Sequence, residues 1–314
     1  MGLAVGDALG QPTEGWTPEA VQAKWGYIEG FTGDAAVSDD TEYTLFSAGV
    51  LLEHGYGVTS SHFAEAWLAH IVPASGPFKG AGFSEMAAIE NLRGGLRPPL
   101  SGQHYHSWSD GFAMRAAPYG VVCPGRPEAA CRLAAEDGVV SHAGEGVYGG
   151  LAVAAAVSVA MGGAPLVEII GAALCAVPCE SWTAREMRRA LDIAKGSEGA
   201  RAATQPLHDA LAVTYYPWAD LAPEAVGLAF GLLAAGRGDF QETVLAAVNL
   251  GRDADTVAAI AGAVLGAKLG YSGLPPEWRD TVGEATGRCL RSVRGVSLHT
   301  VADELANLAD KAAP

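Results

Sequence analysis

Two short acidic runs stand directly in front of apolar helical stretches, and their residue types suit a hard-cation site. In Gly251-Arg252-Asp253-Ala254-Asp255-Thr256 the two aspartates are two positions apart. A regular helix would point them about 200° away from each other, so they reach one point only where a loop turns into a helix. Alternate acids in such a turn fit a cation that prefers oxygen ligands. The other run is Ser38-Asp39-Asp40-Thr41-Glu42. Both also read as helix N-termini: Asp253 or Asp255 as N-cap in one, and Asp39 as N-cap with Glu42 closing a capping box in the other. The residues alone leave ligation and capping open. A third, weaker element is Gly6-Asp7-Ala8-Leu9-Gly10-Gln11-Pro12-Thr13-Glu14, in which Glu14 sits just past a helix stop.

The elements that must position these residues are helical. Apolar residues recur at helical spacing over 41–53, 61–71, 80–92, 127–136, 147–160, 166–176, 183–194, 224–235, 239–250, 255–269 and 297–311. Alternating strand patterns are scarce, so the chain reads as all-α. Gly2, Gly6 and Gly10 share one helix face, and Ala258, Gly262, Gly266 and Gly270 share another. Such faces let a second backbone approach closely, which places both segments at the centre of the fold. Residues 93–110 form the longest irregular piece and carry His104, Tyr105, His106 and Trp108; a long loop in a helical domain is functional or mobile. No stretch reads as a domain linker, so one domain is expected over 1–314.

Composition removes several function classes. The 314 residues include 20 Lys and Arg against 35 Asp and Glu, a formal net charge of −15. That acid excess argues against strong binding to a nucleic-acid backbone, which needs a basic face. With 18% charged and 49% hydrophobic residues the chain is no candidate for disorder. Five cysteines without a CxxC pair fit neither a disulfide framework nor a zinc site, and read as thiols in a reduced compartment. The N-terminal residues show no basic stretch or cleavage site of a secretory signal. Residues 147–167 are uncharged and long enough to span a bilayer. Their Ala and Gly content and the break at Gly162-Gly163-Ala164-Pro165 read instead as a buried helix. A cytoplasmic protein without a membrane span is expected.

Taken in order, these elements resemble the ADP-ribosylglycohydrolase family, which includes the dinitrogenase reductase-activating glycohydrolases. The family opens with Gly-Asp-Ala-x-Gly and a following Glu, matched by residues 6–10 and Glu14. It continues with Thr/Ser-Asp-Asp-Thr, matched by residues 38–41, and ends with Gly-Gly-Asp-x-Asp-Thr and a small-residue helix, matched by residues 251–270. Its Gly-Asn-Gly…Met-Arg…Pro element is similar to Ser109-Asp110-Gly111-Phe112-Ala113-Met114-Arg115-Ala116-Ala117-Pro118, and its later Ser/Thr-His to Ser141-His142.

The resemblance implies a compact all-α fold around two divalent ions, Mg²⁺ or in some members Mn²⁺. By position, Ser38, Asp39, Asp40, Asp253, Asp255 and Thr256 would hold metal, with Asp255 bridging. Glu14 stands where the family keeps a Glu that helps hold or activate the reacting water; Glu14, Asp39 and Asp255 form the implied catalytic set. Asp110, Gly111, Met114, His142 and Arg252 fall on the substrate side. The implied reaction is hydrolysis of an N- or O-glycosidic bond at ribose, releasing ADP-ribose from a modified protein or another acceptor. Paired metals suit it, because they orient ribose hydroxyls, lower the pKa of water and clamp charge. Two departures stand out: Asp110 replaces the usual Asn, and Arg252 replaces the second Gly beside the metal ligands. The first opens the alternative of a smaller N-ribosyl nucleoside or metabolite. The second offers a partner for a phosphate or a neighbouring Asp. Residues 103–108 could supply aromatic stacking for a purine. A non-catalytic binder or structural protein is a third reading, since some lens crystallins resemble this family. All six metal positions keep oxygen-bearing side chains, which favours an enzyme.

Overall fold

A computed structural model describes residues 1–73 and 82–311. It is all-α. Helices α1 (Gly2–Gly10), α2 (Pro18–Trp25), α3 (Asp39–His54), α4 (Ser60–His70) and α5 (Phe83–Arg93) lead into an irregular stretch. Then come α6 (Ala117–Val121), α7 (Pro127–Ser141), α8 (Glu145–Met161), α9 (Leu166–Cys175), α10 (Trp182–Lys195) and α11 (Ala200–Leu211). The chain closes with α12 (Ala222–Ala235), α13 (Phe240–Leu250), α14 (Ala254–Leu269), α15 (Pro276–Arg279) and α16 (Leu298–Asp310). Among the described residues, β-structure is limited to two antiparallel bridges, Ser109 with Leu221 and Glu284 with Ser297. No described helix is long and apolar enough to cross a membrane. The uncharged stretch from residue 147 is the buried α8, which ends at Met161.

The two small-residue faces meet each other. A Cβ on Gly6 would lie 2.1 Å from the Ala258 carbonyl oxygen, one on Gly2 2.1 Å from that of Gly262, and one on Gly10 2.5 Å from that of Ala254. Helices α1 and α14 therefore run with their backbones in direct contact. Every residue of α1 is buried, and α8, α12 and α14 are buried on most of their circumference, as expected of helices that are apolar all round.

Four helix N-termini are satisfied by carboxylates from distant elements. Glu145 accepts from the Trp182 and Thr183 N–H groups at the head of α10 (2.8 and 2.9 Å), and Glu242 from that of Ala200 at the head of α11 (2.7 Å). Glu136 accepts from the Ser60 N–H at the head of α4 (2.6 Å), and Asp7 serves α3 in the same way. Sparse charge is thus placed on the orphan N–H donors of buried helix ends.

Most expected helices are present within a few residues. The one expected over 80–92 starts at Phe83, and Gly80 and Ala81 lie outside the described residues. The one expected over 127–136 continues to Ser141, because Asp137, Val140 and Ser141 are buried by packing. Helices α2 and α11 are not among the expected ones. The first has only Pro18 and Val21 buried and is set by Thr17, whose side chain accepts from the Ala20 N–H at 3.3 Å. The second carries Pro206 in its interior, a residue that normally breaks the pattern.

Candidate metal centre and active site

The α1–α14 contact brings the acids together. Asp7, on the fully buried α1, accepts from both the N–H and the hydroxyl of Ser38 (3.0 and 2.6 Å) and from the N–H of Thr41 (3.1 Å). The Thr41 hydroxyl donates to it as well. Ser38 is the N-cap residue of α3 but makes no side-chain cap; Asp7 caps the helix from outside. The capping-box reading of this run does not hold. Glu42 points away and grips the C-terminal segment, accepting from the N–H groups of Gly287, Arg288, Cys289 and Leu290 at 2.6 to 3.1 Å.

At the other run, Gly251 and Arg252 both have positive φ, +68° and +58°. A Cβ on Gly251 would lie 2.2 Å from the Trp16 carbonyl oxygen. Arg252 exchanges backbone bonds with the loop after Glu14, donating to the Trp16 carbonyl (2.8 Å) and accepting from the Gly15 N–H (2.7 Å). This turn lets Asp253 and Asp255 reach one place and fixes Glu14 beside them.

Two carboxylate triads result. One ligand atom from each of Asp7, Asp40 and Asp255 lies within 4.8 Å of the others, and the same holds for Glu14, Asp253 and Asp255. Asp255 belongs to both. All of these acids but Asp7 border a cavity of about 340 Å³, whose wall also includes Asp39 and Thr256. Burial pushes all these acids up; like charge adds to it for all but Asp7, where hydrogen bonds from Ser38 and Thr41 oppose the rise. Asp39 is raised to about 8 by burial, then by Asp7 and Glu14. Asp40 is raised by burial and by Asp255, Asp255 by burial and by Glu14, and Asp253 by burial and by Asp110. One oxygen of Asp40, Oδ1, is buried without any hydrogen-bond partner. Buried carboxylates that repel one another and leave an acceptor orphaned fit an oxygen-liganded divalent cation.

The cavity is also lined by Glu85, Ser109, Asp110, Gly111 and Met114, with Asp110 hydrogen-bonded to Asp253. Glu85 is buried and lies against the guanidinium of Arg115 (3.3 Å), which is itself paired with Asp137 (3.1 Å). Burial raises Glu85, and Arg115 opposes the rise. Gly111 is required here, since a Cβ would lie 2.3 Å from Glu85 Oε1.

Two expected substrate residues stand back from the cavity. His142 is 1% exposed and touches the wall from behind, its Nε2 lying 3.0 Å from Ser109 Oγ and 3.8 Å from Glu85 Oε1. Burial, then Arg115, holds the imidazole well below its usual range and hence neutral. Arg252 meets neither a phosphate pocket nor a metal-side Asp. It pairs with Glu224 (2.6 and 3.0 Å) and donates to the Val213 and Tyr216 carbonyls (3.3 and 3.4 Å). Ser38 lies behind the wall, committed to Asp7. Of residues 103–108, His106 stacks on Phe83 at 4.8 Å, and Phe83 meets Trp218 edge-on at 5.3 Å. Phe83 and Trp218 line the cavity.

Sequence reasoning passed over Asp7, Glu85 and Asp220. For Asp7 a signal existed, as it is the lone charge in an otherwise uncharged helix. For Glu85 and Asp220 no local pattern marks the chemistry; only the fold brings them to the cavity.

The comparisons with known proteins show the family of the chain. The family model described as ADP-ribosylglycohydrolase matches residues 1–314. An uncharacterized protein of Archaeoglobus fulgidus is 32% identical over 288 residues, 88% of each chain. The uncharacterized protein YegU of Escherichia coli is 25% identical over 303 residues, 88% of this chain and 87% of YegU. The ADP-ribosylarginine hydrolase Tri1 of Pseudomonas putida matches a shorter stretch, 52% identical over 44 residues, 14% of this chain and 12% of Tri1. A solved structure described as an ADP-ribosylglycohydrolase-related protein complex has a TM-score of 0.65 at 25% identity, covering 98% of this chain and 95% of that one. The chain belongs to the ADP-ribosylglycohydrolase family.

Proposed function

We propose that the protein is a metal-dependent hydrolase that cleaves an ADP-ribosyl N- or O-glycosidic bond, releasing ADP-ribose from a modified protein or another acceptor. The observation that carries this reading is the pair of carboxylate triads sharing Asp255, of which Glu14, Asp40, Asp253 and Asp255 line one cavity. Asp40, Asp253 and Asp255, with Asp39, Ser38 and Thr256 around them, would hold two Mg²⁺ or Mn²⁺ ions, and Asp7 fixes the loop that carries half of this set. When bound, such ions lower the pKa of water and clamp developing charge. Glu14, pushed up by burial and by Asp7, stands beside these ligands where it could accept a proton from the attacking water. Asp110, Gly111 and Met114 line the same cavity and would orient a ribosyl group there, with His142 holding Ser109 in place. Arg252 acts here by fixing the turn before Asp253.

A smaller N-ribosyl compound at the same centre is a second reading. It is favoured by Asp110, which puts a carboxylate where the family keeps an amide. We place the protein in the cytoplasm as one domain over 1–314, on the strength of its free thiols, two of them exposed at Cys175 and Cys179.

The test is turnover of ADP-ribosyl-arginine and of simple nucleosides with Mg²⁺ and with Mn²⁺, on wild type and Asp255→Ala. Asp255→Ala should abolish hydrolysis while far-UV circular dichroism keeps its helical signal. Residual activity above about a tenth of wild type, a loss of less than roughly 1.4 kcal/mol in the barrier, would sink the shared-ligand role.

A further inference from the structure

The loop between α11 and α12 carries Trp218 and Asp220 to the cavity. Its far end is tied to the stretch 108–110: the Asp110 N–H donates to the Asp220 carbonyl (3.2 Å), and the Ala222 N–H to that of Trp108 (3.0 Å). Its near end is tied by Arg252 and Glu224. The Glu224 carboxylate accepts from the Val213 N–H (2.7 Å) and from Nε and Nη2 of Arg252 (2.6 and 3.0 Å). The same Nη2 donates to the Val213 and Tyr216 carbonyls (3.3 and 3.4 Å). Between the two ends Tyr215 is 86% and Trp218 56% exposed. Trp218 meets only ring edges there, those of Phe83 and Tyr216, each at 5.3 Å. The middle of the loop therefore depends on how its ends are held.

Arg252 holds the near end under two penalties. Its φ of +58° lies in the left-handed region, which disfavours any residue with a Cβ. Its side chain and that of Glu224 are 10% and 1% exposed, and a buried ion pair adds little net stability because desolvation offsets the attraction. Neither penalty serves the turn before Asp253. The backbone of Arg252 makes that turn, by its bonds to Trp16 and Gly15, and a glycine would make it with less strain. What the guanidinium adds is a fixed place for the loop.

We infer that Arg252, clasped to Glu224, is a positioning residue for substrate binding: it holds the 213–220 loop so that Trp218 stands in the cavity wall. The inference rests on the ribosyl-hydrolase reading above. Neither Arg252 nor Glu224 lines the cavity, so the clasp acts through the loop. It governs how well a ligand is held more than how fast a bond is broken.

Amide hydrogen exchange on the Mg²⁺-loaded protein reads the clasp without turnover. The variants are Arg252→Gly, which suits the positive φ, and the double Arg252→Gly/Glu224→Gln. The second leaves no unpaired buried charge, so it keeps the test open if the first fails to fold, and a melt of each verifies folding. Amides of 213–220 should exchange about tenfold faster in the variants, as local opening becomes easier, while those of α14 exchange as in wild type. ADP-ribose, titrated by calorimetry, should bind about tenfold more weakly. With ADP-ribosyl-arginine as substrate, KM should rise more than kcat falls. Unchanged exchange at 213–220 overturns the clasp, and faster exchange with unchanged ADP-ribose affinity overturns its role in binding. A loss confined to kcat also overturns it, since that would leave Arg252 as part of the turn before Asp253 only. ADP-ribose affinity that follows the loop, without hydrolysis of any ribosyl substrate, supports the clasp and overturns the hydrolase reading alone. Hydrolysis with loop exchange and KM both unmoved overturns the clasp alone.

Discussion

Asp7 shows how much one buried side chain can carry. It caps α3 from outside the helix and is one member of the Asp7–Asp40–Asp255 triad. Replacing it with Ala leaves the Ser38 and Thr41 donors without an acceptor in a buried site. Each unsatisfied donor costs about 1–3 kcal/mol, so Asp7→Ala should lose on the order of 3 kcal/mol or more in urea unfolding. A loss under about 1 kcal/mol would show that the cap is dispensable. Asp39, Asp40, Asp253 and Asp255 were legible in the sequence because each sits in an acidic run before an apolar helix. Glu85 and Asp220 were not, since nothing in their neighbourhoods distinguishes them from ordinary helix-start and loop acids. Arg252 was misread for a related reason: its partner Glu224 is far from it in sequence.

Among the elements, the α1–α14 contact makes a sharp prediction. Gly6→Ala would put a Cβ 2.1 Å from the Ala258 carbonyl oxygen, so the two helices must separate. Overpacking of this kind costs roughly 1–3 kcal/mol or more, and the displacement should also weaken metal binding, because Asp7 and Asp255 ride on these helices. Gly49, in α3, has nothing within 4 Å of a Cβ. Gly49→Ala should therefore be neutral or stabilise by about 0.4–1 kcal/mol through the unfolded chain and helix propensity. Thermal melts of the two variants check both signs; a Gly6→Ala protein that melts with wild type would refute the close contact. The four-residue glycine period made these helices readable in advance. Of the helices capped from afar, α3, α4 and α10 were readable as helices, but their caps were not, because a cap donated by a distant carboxylate leaves no trace beside the helix it serves. The failure over α11 is of another kind: Pro206 hides a true helical spacing of Ala200, Ala203, Thr204, Leu207 and Leu211.

For the whole molecule, the acid cluster links stability to both pH and metal. Asp39 rises to about 8 in the fold from an ordinary 3.8, and Asp40, Asp253 and Asp255 also rise. Raised carboxyls bind protons more tightly in the folded state, so they add stability that is full below about pH 4 and lost as pH climbs through the folded values. In chelator, the melting temperature should fall between pH 5 and pH 8. Mg²⁺ or Mn²⁺ competes with protons for the same oxygens, so the metal increment should grow over that range. At a hundredfold excess over Kd the increment is about 2.7 kcal/mol, on the order of 5 °C for a chain this long. Identical melts in chelator and in both metals at pH 8 would leave the acidic runs as helix caps only. The net charge of −15 also predicts at most weak, salt-sensitive binding to nucleic acid; a sub-micromolar Kd for unmodified duplex at physiological salt would contradict it.

Glu42 adds a constraint in time. Its carboxylate, three residues after Asp39, receives four successive N–H groups from residues 287–290. The helix that presents Asp39 and Asp40 is therefore seated by a stretch translated 245 to 248 residues later, while Asp7 waits for α14 from residue 254 onward. Contacts that span nearly the whole chain form late. A nascent chain halted before residue 287 would display a fully translated Asp253-Ala254-Asp255 motif and still lack a finished centre. Hydrolysis should thus begin only once residues 287–290 have emerged, with no shorter active fragment made along the way.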